Sequence, residues 1–218
     1  MSTPFQNLAE IGVIPVIAID DAASALPLAD ALLEGGIRCA EITFRTTAAR
    51  ESIEIMTRRR PELIVGAGTL LNIEHLRVAR EAGATFGLAP GFDRPVVEAA
   101  ITLDFPFAPG VMTPSEIGTA LSAGLRTMKF FPAGAAGGTK MLSAVEAPYS
   151  HLEPRFIPTG GVTLANMHEW LAVPSVLAVG GTWLATRDAI ARGAWQEIAD
   201  ACRAAIGRVA EIRGRSAR

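Results

Sequence analysis

Short runs of β-branched and aromatic residues alternate along the chain with longer stretches in which Ala, Leu, Glu and Arg recur at helical spacing. Eight such pairs can be read. The predicted strands are VIPVIAI (13–19), RCAEITF (38–44), LIVGAG (63–68), TFGLAP (85–90), FPFAPG (105–110), TMKFFP (127–132), RFIPTG (155–160) and VLAVGG (176–181). Each is followed by a candidate helix, and one further helix precedes the first strand. Thr113-Pro114-Ser115-Glu116 and Thr163-Leu164-Ala165-Asn166 read as helix starts. No linker, charge block or low-complexity segment divides residues 1–218, so one domain is expected. Eight uninterrupted strand–helix units predict an α/β fold, a single (β/α)8 TIM barrel with an extra N-terminal helix. The rival is an open doubly wound sheet, which would want a glycine-rich turn after its first strand. Here that strand runs into Asp20-Asp21.

Composition narrows the picture further. The 218 residues are 50% apolar, enough for a sizeable core in one barrel. Acidic and basic side chains, 22 and 20, are mixed along the chain for a net charge of −2, so no field favours nucleic acid or an anionic membrane. The basic cluster in residues 208–218 reads as a solvated helix end. Cys39 and Cys202 give neither a disulfide framework nor metal-ligand spacing, which fits a reducing compartment. Residues 1–12 lack the features of a signal peptide, and no apolar run is long enough to span a bilayer. A cytoplasmic location is expected.

The second strand carries the sharpest pattern. Side chains alternate faces, so Ala40, Ile42 and Phe44 share one side while Cys39, Glu41, Thr43 and Arg45 share the other. The apolar set faces helices and the polar set faces the barrel interior. A carboxylate aimed inward is costly unless it is paired or used. Glu41 and Arg45 either pair with each other, or serve a ligand, with Glu41 transferring protons and Arg45 gripping a carboxylate bidentately.

Lys129 sits on the sixth predicted strand, across an eight-membered ring from Glu41. Lys129 and Lys140 are the only lysines among the 20 basic residues. Where charge alone is needed this chain uses arginine, which cannot deprotonate. Desolvation favours the neutral form of an amine, the form that attacks a carbonyl to make a Schiff base. The alternative is a strand-end lysine snorkelling to solvent. Lys140 falls in a helical segment and reads as surface.

Glycine pairs end the last two strands, Gly160-Gly161 and Gly180-Gly181, where barrels often hold phosphate on backbone N–H groups. The same pairs could serve tight turns only. Thr69, after the third strand, stands at the barrel mouth, able to bind a carboxylate or to cap a helix. His75 and His168 fall in helical segments and His151 lies before the seventh strand, so no metal site is expected. Trp170, Trp183 and Trp195 read as core or interface packing residues, with Trp183 bordering the glycine turn after the last strand.

Taken in order, EITFRT, VGAGTLL, APG, PGVMTPSE, MKFFPAG, PTGG and VGGTW closely resemble the 2-keto-3-deoxy-6-phosphogluconate (KDPG) aldolase family over nearly the whole chain. The resemblance implies a trimeric, metal-free class I aldolase of the Entner–Doudoroff pathway. Its members cleave KDPG to pyruvate and glyceraldehyde 3-phosphate, often with activity on 4-hydroxy-2-oxoglutarate (KHG), which yields pyruvate and glyoxylate. By motif it implies Lys129 as Schiff-base former and Glu41 as proton shuttle through a water. Arg45 and Thr69 match positions holding the pyruvate carboxylate, and Pro90 and Phe131 match positions shaping the pocket around the imine. Thr159 matches a position near the substrate hydroxyls, and Gly160, Gly161, Gly181 and Thr182 match the phosphate end. Two positions depart from the pattern: Gly134 stands where many members have glutamate, and Thr182 where they have serine. The galactonate-derived epimer is an alternative substrate. A phosphate-binding barrel isomerase and a non-catalytic trimeric binding module are rivals of other classes, but neither needs a buried lysine.

Overall fold

The computed structural model describes residues 3–216. Nine parallel strands form the inner wall: β1 (Val13–Ile17), β2 (Cys39–Thr43), β3 (Ile64–Gly68), β4 (Phe86–Leu88), β5 (Phe107–Ala108), β6 (Gly110–Val111), β7 (Thr127–Phe130), β8 (Arg155–Pro158) and β9 (Val179–Gly181). Their hydrogen-bonded order is β5-β4-β3-β2-β1-β9 in one sheet and β6-β7-β8 in another. Parallel bridges from Phe156 to Val176 and from Thr159 to Gly180 join β8 to β9. The ring has eight staves, because β5 and β6 are one predicted strand divided at Pro109, which has no N–H to give a ladder. The residues of β1 and β2 are buried throughout, as expected of strands covered on both sides.

Helices α1 (Pro4–Ile11), α2 (Ala25–Glu34), α3 (Ala49–Arg59), α4 (Ile73–Glu81), α5 (Arg94–Thr102), α6 (Pro114–Ser122), α7 (Gly138–Glu146), α8 (Met167–Leu171), α9 (Arg187–Ala191) and α10 (Trp195–Ser216) complete the described residues. The expected helix before β1 is α1. It lies under the barrel, where the Phe5 ring packs against Phe86 with centroids 6.2 Å apart. Thr113 caps α6 with a full capping box, its side chain accepting from Glu116 N–H while Glu116 accepts from Thr113 N–H. At the other predicted start Thr163 Oγ1 accepts from Asn166 N–H at 3.3 Å and Asn166 Oδ1 accepts from Thr163 N–H at 2.8 Å, the reciprocal pattern of a helix start, and the regular turns of α8 follow from Met167.

The C-terminal tail differs from a freely solvated end. Arg213, on α10, donates to the Ala9 and Glu10 carbonyls in the last turn of α1, tying the two ends of the chain together. The final tail residues, 217–218, lie outside the described residues. None of the helices among the described residues is long and apolar enough to cross a membrane.

Candidate active site

The alternation of β2 puts Glu41 and Thr43 inside the barrel, 0% and 1% exposed, with Ala40 and Ile42 also buried on its other face. Room for the carboxylate comes from the neighbouring strand. A methyl group on Gly68 would stand 2.1 Å from Glu41 Oε1, so only glycine there lets the acid lie flat against β3.

On the opposite wall, Lys129 enters from β7 with its backbone N–H held by the Pro109 carbonyl at 2.9 Å. Its Nζ lies 3.0 Å from Glu41 Oε1, and the residue is 5% exposed. Glu41 therefore pairs with Lys129 and not with Arg45. A buried pair of this kind recovers its desolvation cost only if its remaining polar atoms are satisfied. Glu41 Oε2 is buried and receives no hydrogen bond from the protein. An orphaned oxygen beside an amine is a cost the fold alone does not require.

Arg45 projects to the mouth, steered by a relay: the Thr43 hydroxyl donates to the Ile17 carbonyl at 2.7 Å and accepts from Arg45 Nε at 3.0 Å. Thr43 was visible in the sequence as an inward polar residue, but this positioning role was not. Thr69 adopts φ 59, a left-handed backbone that a β-branched residue rarely takes and that costs on the order of 1–3 kcal/mol. Such strain at a cavity wall marks a residue placed there by the surrounding fold.

Above the pair lies a cavity of about 300 Å³. Lys129, Arg45, Thr69, Pro90, Phe131, Thr159, Gly160, Gly161, Gly181 and Thr182 all line it, and Glu41 lies beneath. The structure thus gathers every sequence-predicted site residue at the C-terminal end of the strands. The Phe131 ring centre stands 5.7 Å from Lys129 Nζ. The loops after β7 and β8 are stitched together by Ala133 N–H to the Thr159 carbonyl and Gly134 N–H to the Gly160 carbonyl, both at 2.8 Å. Gly161, at φ 81, approaches so closely that an added methyl would lie 3.1 Å from Gly134 Cα. The absence of a side chain at Gly134 therefore belongs to the same close contact. Asn166 braces this turn through Nδ2 to the Gly161 carbonyl at 2.9 Å. The sequence offered only a helix-start signal for it.

Of the residues set aside in the sequence, Trp183 packs its ring against Gly181 behind the cavity wall, and the others lie away from the cavity. Lys140 is exposed on α7. His75 and His168 lie on α4 and α8, and among the described residues no cluster of three or more His, Cys, Asp or Glu side chains could hold a metal ion. Cys39 and Cys202 are buried and unbridged, and burial pushes both thiols up, Cys202 to about 12, so neither is a nucleophile near neutral pH. Trp170 is buried against Phe130, with ring centroids 6.3 Å apart.

Comparison with known proteins shows the family. A family model for KDPG and KHG aldolases matches residues 6–201. The KHG/KDPG aldolase of Escherichia coli K12 is 43% identical over 194 residues, 89% of this chain and 90% of its own. The crystal structure of KDPG aldolase from Legionella pneumophila, with pyruvate captured as a covalent carbinolamine, superimposes with a TM-score of 0.89 at 38% identity. It covers 94% of this chain and 98% of that one. The aldolase of Zymomonas mobilis ZM4 with 3-phosphoglycerate gives 0.83 at 35% identity, over 92% and 94%. The chain belongs to the KDPG and KHG aldolase family, lyases that cleave carbon–carbon bonds.

Proposed function

We propose that the chain is a class I aldolase that cleaves KDPG to pyruvate and glyceraldehyde 3-phosphate, and also takes KHG to pyruvate and glyoxylate. The observation that carries this reading is the buried Lys129–Glu41 pair, 3.0 Å apart on the floor of the cavity, with Arg45 at its rim. Arg45 and Thr69 hold the 2-keto acid carboxylate and so bring the C2 carbonyl over Lys129. The neutral amine adds to C2. Glu41, protonated by the Lys129 ammonium as the amine becomes neutral, gives that proton to the oxygen. It then takes the second proton that the nitrogen loses and delivers it to the resulting hydroxyl, which leaves as water, giving the protonated imine. The imine withdraws the electron pair of the C3–C4 bond as the C4 hydroxyl loses its proton to a base. The aldehyde departs and leaves an enamine. Protonation at C3 followed by addition of water releases pyruvate and restores the amine.

In this reading the imine is the electron sink, so no metal is called for. Phe131 and Pro90 wall the imine, Thr159 faces the substrate hydroxyls, and Gly160, Gly161, Gly181 and Thr182 receive the phosphate. The phosphoglycerate-bound relative supports that end, and the carbinolamine-bound one supports the lysine. A cytoplasmic homotrimer acting in the Entner–Doudoroff pathway completes the reading, with light scattering as the check on assembly. The direct test is borohydride reduction in the presence of pyruvate, read by peptide mass spectrometry. A single adduct on Lys129 is expected. Absence of an adduct, or its appearance on Lys140, overturns the proposal.

A further inference from the structure

The carboxylate end of the cavity has a cation in Arg45, whereas the two glycine turns assigned to the phosphate contain no basic side chain. A second cavity of about 250 Å³ adjoins the first, with Val16, Arg45 and Thr182 lining both. Its remaining walls include Thr186 and Arg187, on the segment that follows β9. Arg187 therefore borders a space that shares Thr182 with the proposed phosphate end.

Arg187 is engaged, but by a contact that is easily exchanged. Its Nε and Nη2 donate to the two carboxylate oxygens of Asp20, just beyond β1. The side chains are 66% and 48% exposed, so water screens the pair and it contributes little stability. The Arg187 hydrogen bonds hold the Asp20 carboxyl below its ordinary value, against a smaller opposing effect of burial, so Asp20 stays charged near neutral pH. Asp21 next door has other work, since its Oδ1 accepts from Ala23 N–H at 2.9 Å. Of the two adjacent acids, Asp20 is the one paired with Arg187. A guanidinium fork that grips a carboxylate bidentately fits a phosphate in the same way, and a phosphate dianion attracts it more strongly.

We infer that Arg187 is a specificity-determining residue for the distal phosphate of the substrate, and that Asp20 is its built-in competitor. In the free protein the guanidinium rests on Asp20. When phosphate docks against Thr182 and the glycine turns, the guanidinium exchanges Asp20 for it. Asp20 thereby sets how strongly the mouth discriminates for a charged tail. The inference rests on the aldolase reading of this site.

The two roles open to the pair predict opposite results. A tether between loops weakens whichever partner is removed, so Asp20→Asn and Arg187→Ala would shift phosphate affinity in the same direction. A clamp with a competitor responds in opposite directions. Arg187→Ala should raise KM for KDPG about three- to tenfold relative to KM for the unphosphorylated keto-deoxy acid, with the loss in KM and not in kcat. Asp20→Asn should lower KM for KDPG by about two- to fivefold. Calorimetric titration with glycerol 3-phosphate should show the same opposed shifts without any turnover. Shifts in one direction, or no shift in either variant, overturn the inference. Failure of the aldolase reading would show separately, as no pyruvate adduct in the parent protein, and the calorimetry would still decide the clamp.

Discussion

The two ends of the barrel differ in a way that cavity size alone would misjudge. The lower end holds the larger hollow, about 650 Å³ between α1 and the starts of the strands, lined by Phe5, Ile101, Phe105, Phe107, Leu125 and Leu177. Its charged residues have no buried charged partner among the described residues: Arg126 donates through Nη1 to the Leu121 and Leu125 carbonyls, and Asp104 and Arg155 also line it. The upper cavity is less than half as large and has a buried amine, a buried carboxylate and an arginine converging on it. Volume reports where elements fail to meet. Reactivity needs titratable groups held out of water and aimed at one point. Parallel strands all end at the same rim, so loops and strand-end side chains from many staves can converge there, while the starts of the strands mainly carry the packing.

The largest test of that contrast is Lys129→Arg, which keeps a charge beside Glu41 but cannot form an imine. Its kcat/KM should fall by several orders of magnitude, with loss of the borohydride-trapped pyruvate adduct. Retained turnover would break the upper site as described. Glu41→Gln should cost about 10²- to 10⁴-fold in kcat, the usual range for a general acid–base, while slow pyruvate trapping persists because the amine remains. Unchanged turnover would reduce Glu41 to a structural partner of Lys129.

Next comes the proposed phosphate end. Gly161→Val meets both the φ of 81 and the 3.1 Å approach to Gly134, so the preference for phosphorylated over unphosphorylated substrate should drop by more than about tenfold. Thr182→Ala removes one neutral donor and should raise KM by about tenfold or less. A Gly161→Val protein that keeps the parent preference would mean the glycine pair is only a turn. The smallest effect belongs to the lower end. Ile101→Ser, at a side chain already 50% exposed, should leave kcat/KM within about twofold and stability within about 0.5 kcal/mol. A large loss of turnover there would place chemistry at the wrong end and dissolve the comparison.

Much of the site was legible because its signals are local. The period of two along β2 assigned Glu41 and Thr43 to the interior without any knowledge of the other strands. The scarcity of lysine singled out Lys129, and the glycine pairs after the last two strands marked turns that line the same cavity as Arg45. Strand–helix alternation was enough for the barrel, and Thr113 with Glu116 for the start of α6. Where local rules competed, the reading failed in detail. Pro109 divided a strand that hydropathy left whole, and Asn166, besides its part in the helix start at Thr163, reaches back to the Gly161 carbonyl, which no local pattern announced.

The sequence by itself determined which side chains point inward and which residue types could do carbonyl chemistry. It left Glu41 with two possible partners, one four positions away and one 88 positions away, and the closed ring chose the distant one. The contact of Arg187 with Asp20, 167 positions apart, and the bond from Arg213 to α1 were likewise set by closure. The physical reason is that pleat and helical period are properties of a few consecutive residues. Contacts across the barrel depend on the number of staves, their register and the joining of the last strands to the first. Only the assembled ring brings those terms together.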